Sequence, residues 1–306
     1  MSRSRRPQLV SPLPVRDGVA PSYLWLGEGN WDNMLAFLVT RFPAVSAAEW
    51  VARMSKGDVV ELGGAPVRPD TPYRRGACIF YYRELAHETP IPFCETILFQ
   101  DEHILVVDKP HFVPVIPTGR FVRESLLVRL KQRTGLQDLT PMHRLDRETA
   151  GVVLFSHNRA TRGIYQAMFQ QRGMDKVYEA LAPLRAELDF PLVRRSRMVE
   201  GEPFICMREV DGEPNAESHI ELVERRGPLG LYRLRPITGK RHQLRVHMAA
   251  LGMPIVNDAF YPLLLPCKGD DVSRPLQLLA REIAFIDPLT GQLRRFSSAR
   301  RLEFTP

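Results

Sequence analysis

Apolar and polar positions in the first third of the chain change period twice. Leu35, Leu38 and Val39 recur at helical spacing, and a second helical stretch opens at Ser46, with Glu49 three residues on in capping-box register. Trp50, Val51 and Met54 give that second stretch an apolar face, and Gly57 is placed to end it. The pattern then shortens to two strand-like runs, residues 58–62 and 77–82, separated by Gly63-Gly64 and by a loop carrying Pro66, Pro69 and Pro72. The spacing predicts two helices and a small hairpin over residues 31–82. After a charged, proline-bearing linker at 85–94, residues 97–110 read as two short strands joined by a polar turn. Three further helices are predicted, over 125–133 before Gly135, 158–172 before Gly173 and 242–251 before Gly252. Strands outnumber these helices and do not alternate regularly with them, so the pattern predicts a mixed α+β domain rather than a doubly wound sheet.

Composition adds little to the fold and something to the partner. The 306 residues are 44% hydrophobic and 25% charged, enough for one large and one small domain without covalent staples. Forty-two Lys and Arg against 35 Asp and Glu leave a net charge of +7, which favours a polyanionic partner. Cys78, Cys94, Cys206 and Cys267 form no C-x-x-C pair and read as buried reduced thiols, which suits a cytoplasmic protein. No stretch reads as a signal peptide or as a membrane span. The first sixteen residues hold Arg3, Arg5, Arg6 and Arg16 and three prolines, the pattern of a solvated basic arm, taken here as residues 1–25.

The chemistry concentrates in three places. The run from His143 to Gly151 places Asp146 between Arg144 and Arg147, cations that would hold its carboxyl ionised, as a nucleophile or base requires. From local chemistry alone a structural salt bridge is the favoured explanation of the same residues, because charged clusters before strands are common and mostly structural. From Arg225 to Asn257 the sequence has no acid and seven cations, among them Lys240, Arg241 and Arg245, the charge pattern of a phosphate-lined groove. Within it Leu244, Met248 and Leu251 would form a packing face of a helix, while Arg241 and Arg245 share a face turned to substrate. His143, His242 and His247 match no zinc spacing, so no metal is expected.

The run His143-Arg144-Leu145-Asp146-Arg147-Glu148-Thr149-Ala150-Gly151 resembles the signature around the catalytic aspartate of the RluA-type RNA pseudouridine synthases. Lys176-Val177-Tyr178-Glu179-Ala180 resembles the second motif of that family, 32 residues on at its tyrosine, and residues 236–247 with Asp258 resemble the third. The resemblance covers roughly residues 95–304. It implies a catalytic domain at 95–306 built on a mainly antiparallel sheet, and an isomerase that needs no cofactor. It implies Asp146 as nucleophile, Arg245 as its ionic partner and Tyr178 beside the target base, where it would assist late deprotonation. His143, Arg144, Arg147, Lys176, Lys240, Arg241 and His242 would meet structured RNA, ribosomal or transfer, with Arg144 filling the space left by an extruded base. Attack on the base and abstraction of a ribose proton both stay open as the first step. His143 and His242 are expected to hydrogen-bond loop backbone. Residues 26–84 resemble the alpha-L RNA-binding module, although Arg53 and Lys56 are the only cations of its second helix. Residues 113–117 depart from the glycine-containing loop of many relatives. A monomer is expected, and two other readings are kept: an RNA-binding protein without catalysis, and a glycosidase, which would need a second carboxylate opposite Asp146.

Overall fold

In this computed structural model residues 9–83, 88–171, 173–266 and 270–304 are described, and they divide into two units at Glu88/Thr89. The first unit holds β1 (Ser22–Trp25), α1 (Met34–Arg41), α2 (Ala47–Ser55), β2 (Val59–Glu61) and β3 (Cys78–Tyr81), with the strands in the order β1-β3-β2. Asn33 caps α1 by accepting from the Ala36 amide. Ser46 and Glu49 close a reciprocal capping box on α2, with the Glu49 carboxylate 2.8 Å from the Ser46 amide, and Gly57 takes a φ of 74° just after it. Met34, Phe37 and Leu38 of α1 meet Trp50 and Met54 of α2 over Val59, Ile79 and Tyr81. Val51, expected on the apolar face, points outward instead.

The described part of the expected solvated arm is packed. Leu9 and Leu13 cover Val60, Cys78 and Phe80 on the second face of the small sheet. Arg16 pairs with buried Asp58 at 2.6 Å and lies over the Tyr82 ring, whose hydroxyl donates to the Pro14 carbonyl. β1 pairs with β3, so the expected arm of residues 1–25 also supplies a strand to this unit. These partners come from residues 58–82 and exist only once the sheet has formed. Arg3, Arg5 and Arg6 lie outside the described residues.

The second unit is a mixed α+β domain on one eleven-stranded sheet. Its elements are β4 (Thr96–Gln100), β5 (Ile104–Lys109), α3 (Leu126–Thr134), β6 (Thr140–Pro141), β7 (Ala150–Ser156), α4 (Arg159–Gln170), β8 (Met174–Pro183), β9 (Leu192–Glu200), β10 (Met207–Val210), β11 (Ala216–Arg226), β12 (Leu229–Pro236), α5 (Gln243–Ala250), β13 (Leu278–Ile286) and β14 (Leu293–Ser297). The main path runs β10-β9-β11-β12-β8-β13-β7-β5-β4, with β14 beside β13 and β6 beside β7. Pairing is antiparallel except between β13 and β7, where the two halves of the sheet join. β5 and β7 are buried along their whole length, with Leu105, Val107, Val153 and Phe155 packed towards α3 and Ile104, Val106, Val152 and Leu154 towards α4. α5 packs Leu244 and Met248 against Ala180, Tyr232 and Leu234 on the other half of the sheet.

Gly151 sits at the parallel junction with a φ of 116°, and a Cβ there would lie 2.2 Å from the Ala280 carbonyl oxygen. Only glycine lets β7 and β13 come this close directly after the Asp146 turn. Cys78 and Cys206 are buried, Cys94 is exposed against expectation, and Cys267 lies outside the described residues. Among the described residues no helix is long and apolar enough to cross a membrane.

Candidate active site

Three stretches far apart in sequence meet where β7, β8 and α5 converge, and all ten residues expected at the site line one cavity of about 620 Å³. Asp146 stands in the turn between β6 and β7, and Thr149 closes that turn by donating its amide to the Asp146 carbonyl at 3.2 Å. The turn is held from below by Lys109, the last residue of β5. Its buried ammonium donates to the carbonyls of Pro110, Val113 and Arg147 at 3.0, 2.8 and 3.1 Å, tying the 110–116 loop to the Asp146 turn. His111 Nδ1 donates to the Glu148 carbonyl at 2.6 Å, and His143 Nε2 accepts from the Leu154 amide at 3.1 Å while its ring stacks on Phe169. Burial lowers the His143 imidazole to about 3, so it stays neutral and structural. Pro114, Val115 and Ile116, from the loop after β5, line the apolar wall of the cavity.

The floor is Arg245, on α5 and only 1% exposed. Its Nε and Nη2 donate to the two oxygens of Asp258 at 2.8 and 2.7 Å, and Nη1 donates to Asp146 Oδ2 at 3.2 Å, with Glu148 Oε2 3.6 Å away. The Phe260 ring lies against the guanidinium, 4.7 Å from its carbon. Burial alone would raise the Asp146 carboxyl; His242, Arg245 and Lys109 together outweigh it, and the carboxyl sits below its ordinary value. Burial lowers His242 itself, which leaves the permanent charge of Arg245 as the secure partner at neutral pH.

His242 occupies the left-handed region at φ 54°, the position that opens α5. Its Nδ1 is 2.8 Å from the Tyr261 hydroxyl, which accepts from the Met207 amide at 2.7 Å, and its Nε2 is 3.7 Å from Asp146 Oδ1. Because the Met207 amide fills an acceptor position of Tyr261, the phenol is free to donate to Nδ1, leaving an Nε2 proton to face Asp146. Gln243 accepts from the Thr238 hydroxyl and the Lys240 amide and donates to the Glu217 carbonyl and Ser218, which fixes the 238–240 loop at the cavity mouth. Tyr178 lines the cavity from β8, and burial followed by the charge of Asp146 raises its phenol above the ordinary range.

Several expectations change in space. The cations that hold Asp146 are not its neighbours Arg144 and Arg147: Arg147 pairs with Glu148 at 2.9 Å and with Asp270 at 2.7 Å, and the ionic partner of Asp146 comes from 99 residues away. Arg245 does not share a substrate-facing helical surface with Arg241. It lies buried beneath Asp146, while Arg241 precedes α5 and donates to the carbonyls of Phe204 and Cys206. His242 hydrogen-bonds a tyrosine rather than loop backbone, whereas His247 is packed on its helix, fully buried between Ser196 and Ser218. The acid-free segment is not acid-free once folded, since Arg226 pairs with Glu224 and Arg233 with Glu221. A glycosidase pair is also unsupported, because Glu148 is buried and committed to Arg147 and Arg245. Asp258, Lys109 and Tyr261 were not assigned roles from sequence. Asp258 belongs to the third motif without a role attached to it, Lys109 is marked in sequence only as a charged residue ending an apolar run, and Tyr261 carries no local signal.

Among the described residues no group of three or more His, Cys, Asp or Glu side chains is placed to hold a metal ion. The sequence pattern of the RNA pseudouridylate synthase family matches residues 103–250. The dual-specificity RNA pseudouridine synthase RluA of Vibrio vulnificus is 34% identical over 216 residues, covering 65% of this chain and 80% of that protein. Human pseudouridylate synthase RPUSD2 is 30% identical over 243 residues, covering 76% of this chain; the chain spans 43% of that longer protein. Among solved structures, human RNA pseudouridylate synthase domain containing 1 superposes with a TM-score of 0.57 over 70% of this chain and 86% of its own, at 22% identity, a likeness of fold.

Proposed function

The chain belongs to the RluA-type family of RNA pseudouridine synthases, and from that premise we propose that its cavity isomerises uridine in structured RNA to pseudouridine, with Asp146 as the catalytic carboxylate. The observation that carries this reading is the Arg245–Asp146 contact at the base of a cavity that gathers all three motifs.

The reaction breaks the bond from ribose C1′ to N1, turns the base and joins C1′ to C5. The C5 proton departs and N1 gains one, so redox state and mass are unchanged and no cofactor is required. An ionised Asp146 serves either opening step, attack by a carboxylate oxygen or removal of a ribose proton, because both consume the anionic form. Arg245 supplies a countercharge that does not titrate, in a geometry fixed by Asp258. Tyr178 keeps its proton at rest, so its role is as a wall and hydrogen-bond donor to the base; it can take up the C5 proton only after passing on its own.

The target base must leave its stack to reach Asp146, at a cost of a few kcal/mol, roughly, for a paired uridine and less in a loop. Arg144, Lys176, Lys240, Arg241, His143 and His242 line the cavity; in this reading the four cations meet the surrounding RNA and Arg144 fills the vacated position. Ribosomal or transfer RNA is the substrate class in this reading, acted on by a monomer in the cytoplasm. The test is to map pseudouridine by carbodiimide labelling in RNA from cells lacking the gene, complemented with wild type or Asp146→Asn. Sites that vanish and return only with wild type are expected; an unchanged map defeats the proposal.

A further inference from the structure

We propose that Arg120 and Arg147 form a phosphodiester-binding subsite beside the cavity, filled in this structure by the carboxylate of Asp270, which an incoming RNA phosphate replaces. The proposal rests on the reading of the cavity as an RNA site and adds to it a specific anchor and a residue that competes with the substrate.

Two guanidinium groups from separate loops converge on a single oxygen. Arg120 Nη2 lies 2.6 Å and Arg147 Nη1 2.7 Å from Asp270 Oδ1. Both cations are braced on one aromatic ring, with their guanidinium carbons 5.1 and 5.3 Å from the centre of Phe121. Phe121 is itself fixed by reciprocal backbone hydrogen bonds with Thr118, and Thr118 and Arg147 both line the cavity. Arg147 is further oriented by Glu148, which takes its Nε and leaves Nη1 aimed at the converging point. A preorganised pair of guanidiniums around one anionic oxygen is the arrangement that binds a phosphate oxygen.

The carboxylate has a weak hold there. The Arg120 and Asp270 side chains are 63% and 41% exposed, and a pair so open to water adds little stability; Arg147, 16% exposed, supplies the firmer of the two contacts and stays in place to meet the replacing anion. A phosphodiester brings the same single charge with two free oxygens, and its arrival releases counterions that an internal carboxylate cannot. Arg147 immediately follows Asp146 in the catalytic turn, so the exchange places one backbone phosphate a fixed step from the reacting uridine. The sign of the effect follows: removing the charge of Asp270 should strengthen RNA binding, whereas removing a purely structural ion pair should leave it unchanged or weaken it.

The experiment titrates the full chain with a fluorescein-labelled, unmodified RNA hairpin carrying uridines in its loop, by anisotropy, from about 50 to about 200 mM KCl. Asp270→Asn is expected to bind about 5-fold more tightly, and Arg120→Ala about 5-fold more weakly with a salt slope lower by about one. In the Arg120→Ala background the gain from Asp270→Asn should shrink. Asp271→Asn removes the same charge one residue away and should change affinity by less than about 2-fold. Unchanged or weaker binding by Asp270→Asn overturns the subsite, as does an equal gain from Asp271→Asn. Should Asp270→Asn fail to fold, Arg120→Ala decides alone, and an unaltered affinity and slope overturn the proposal. Pseudouridine formation by the wild-type chain on RNA from cells lacking the gene is measured alongside. No product defeats the isomerase reading, whereas product with indifferent Asp270 and Arg120 variants defeats only the subsite.

Discussion

Arg245 and Asp258 meet through two parallel hydrogen bonds of 2.8 and 2.7 Å, both groups almost completely removed from solvent. The pairing leaves one guanidinium nitrogen for Asp146, so Asp258 determines where that nitrogen points. Asp258 is fixed in turn by the amides of Phe260 and Tyr261, which donate to its Oδ1.

Asp258→Asn should therefore cost both fold and rate. Breaking one partner of a buried pair typically destabilises by about 3–5 kcal/mol, and the remaining carboxylates, Asp146 and Glu148, compensate in part. Denaturant unfolding is expected to show a loss of about 2–4 kcal/mol. In the folded fraction kcat should fall more than 10-fold, roughly, with KM nearly unchanged, since Asp258 is buried behind Arg245 and does not line the cavity. Arg245→Lys should behave similarly, because an ammonium cannot reproduce the fork.

Lys109 gives a stability signature with a defined sign. Burial lowers its ammonium to about 7, against an ordinary value near ~10.4 in the unfolded chain. Between these values the unfolded state binds the extra proton, so this residue makes stability rise with pH across that window. In Lys109→Met that rise should be lost from the difference curve. The carbonyls of Pro110, Val113 and Arg147 would also lose their common donor, for an expected loss of about 1–3 kcal/mol at pH 7. Unfolding curves at pH 7 and at pH 9, approximately, check both.

With Asp146 as the proposed catalytic carboxylate, the acid limb of activity should follow its titration. Its carboxyl is held below the ordinary value of about 3.8, so kcat/KM should stay level as pH falls through the usual carboxylate range and drop only below it. The same depressed value means that its ionic contribution to stability is present above the unfolded value and lost as pH falls through the folded one. Replacing Arg245 by Met should move the acid limb upward.

Tyr261→Phe removes the hydroxyl shared by the Met207 amide and His242. The expected cost is about 1–2 kcal/mol of stability. Nitrogen-15 NMR of His242 should show the Nε2-protonated ring of the wild type giving way to mixed tautomers. An unchanged spectrum would detach Tyr261 from the orientation of His242.

Gly151→Ala places a methyl group against the Ala280 backbone at a φ that alanine avoids. Soluble yield and thermal midpoint should both collapse, whereas Gly239→Ala, with open space around it, should be neutral in stability.

What the sequence by itself determined is local. The period of the apolar positions placed α2, α3 and α4 to within a few residues, since the caps at Gly57, Gly135 and Asn158 are decided by neighbouring backbone groups. The three motifs identified the residues that line the cavity because their chemistry is carried by short runs. The tertiary structure decided which charges act on which. Asp146 takes its countercharge from Arg245 rather than from the arginines beside it, Arg147 turns to Glu148 and Asp270, and Arg241 holds a loop. Asp258, Lys109 and Tyr261 acquire their roles only because β5, α5 and the 258–261 turn come together at one point. Coulomb energy and hydrogen bonding depend on distance and burial, and for residues far apart along the chain both are fixed by the fold.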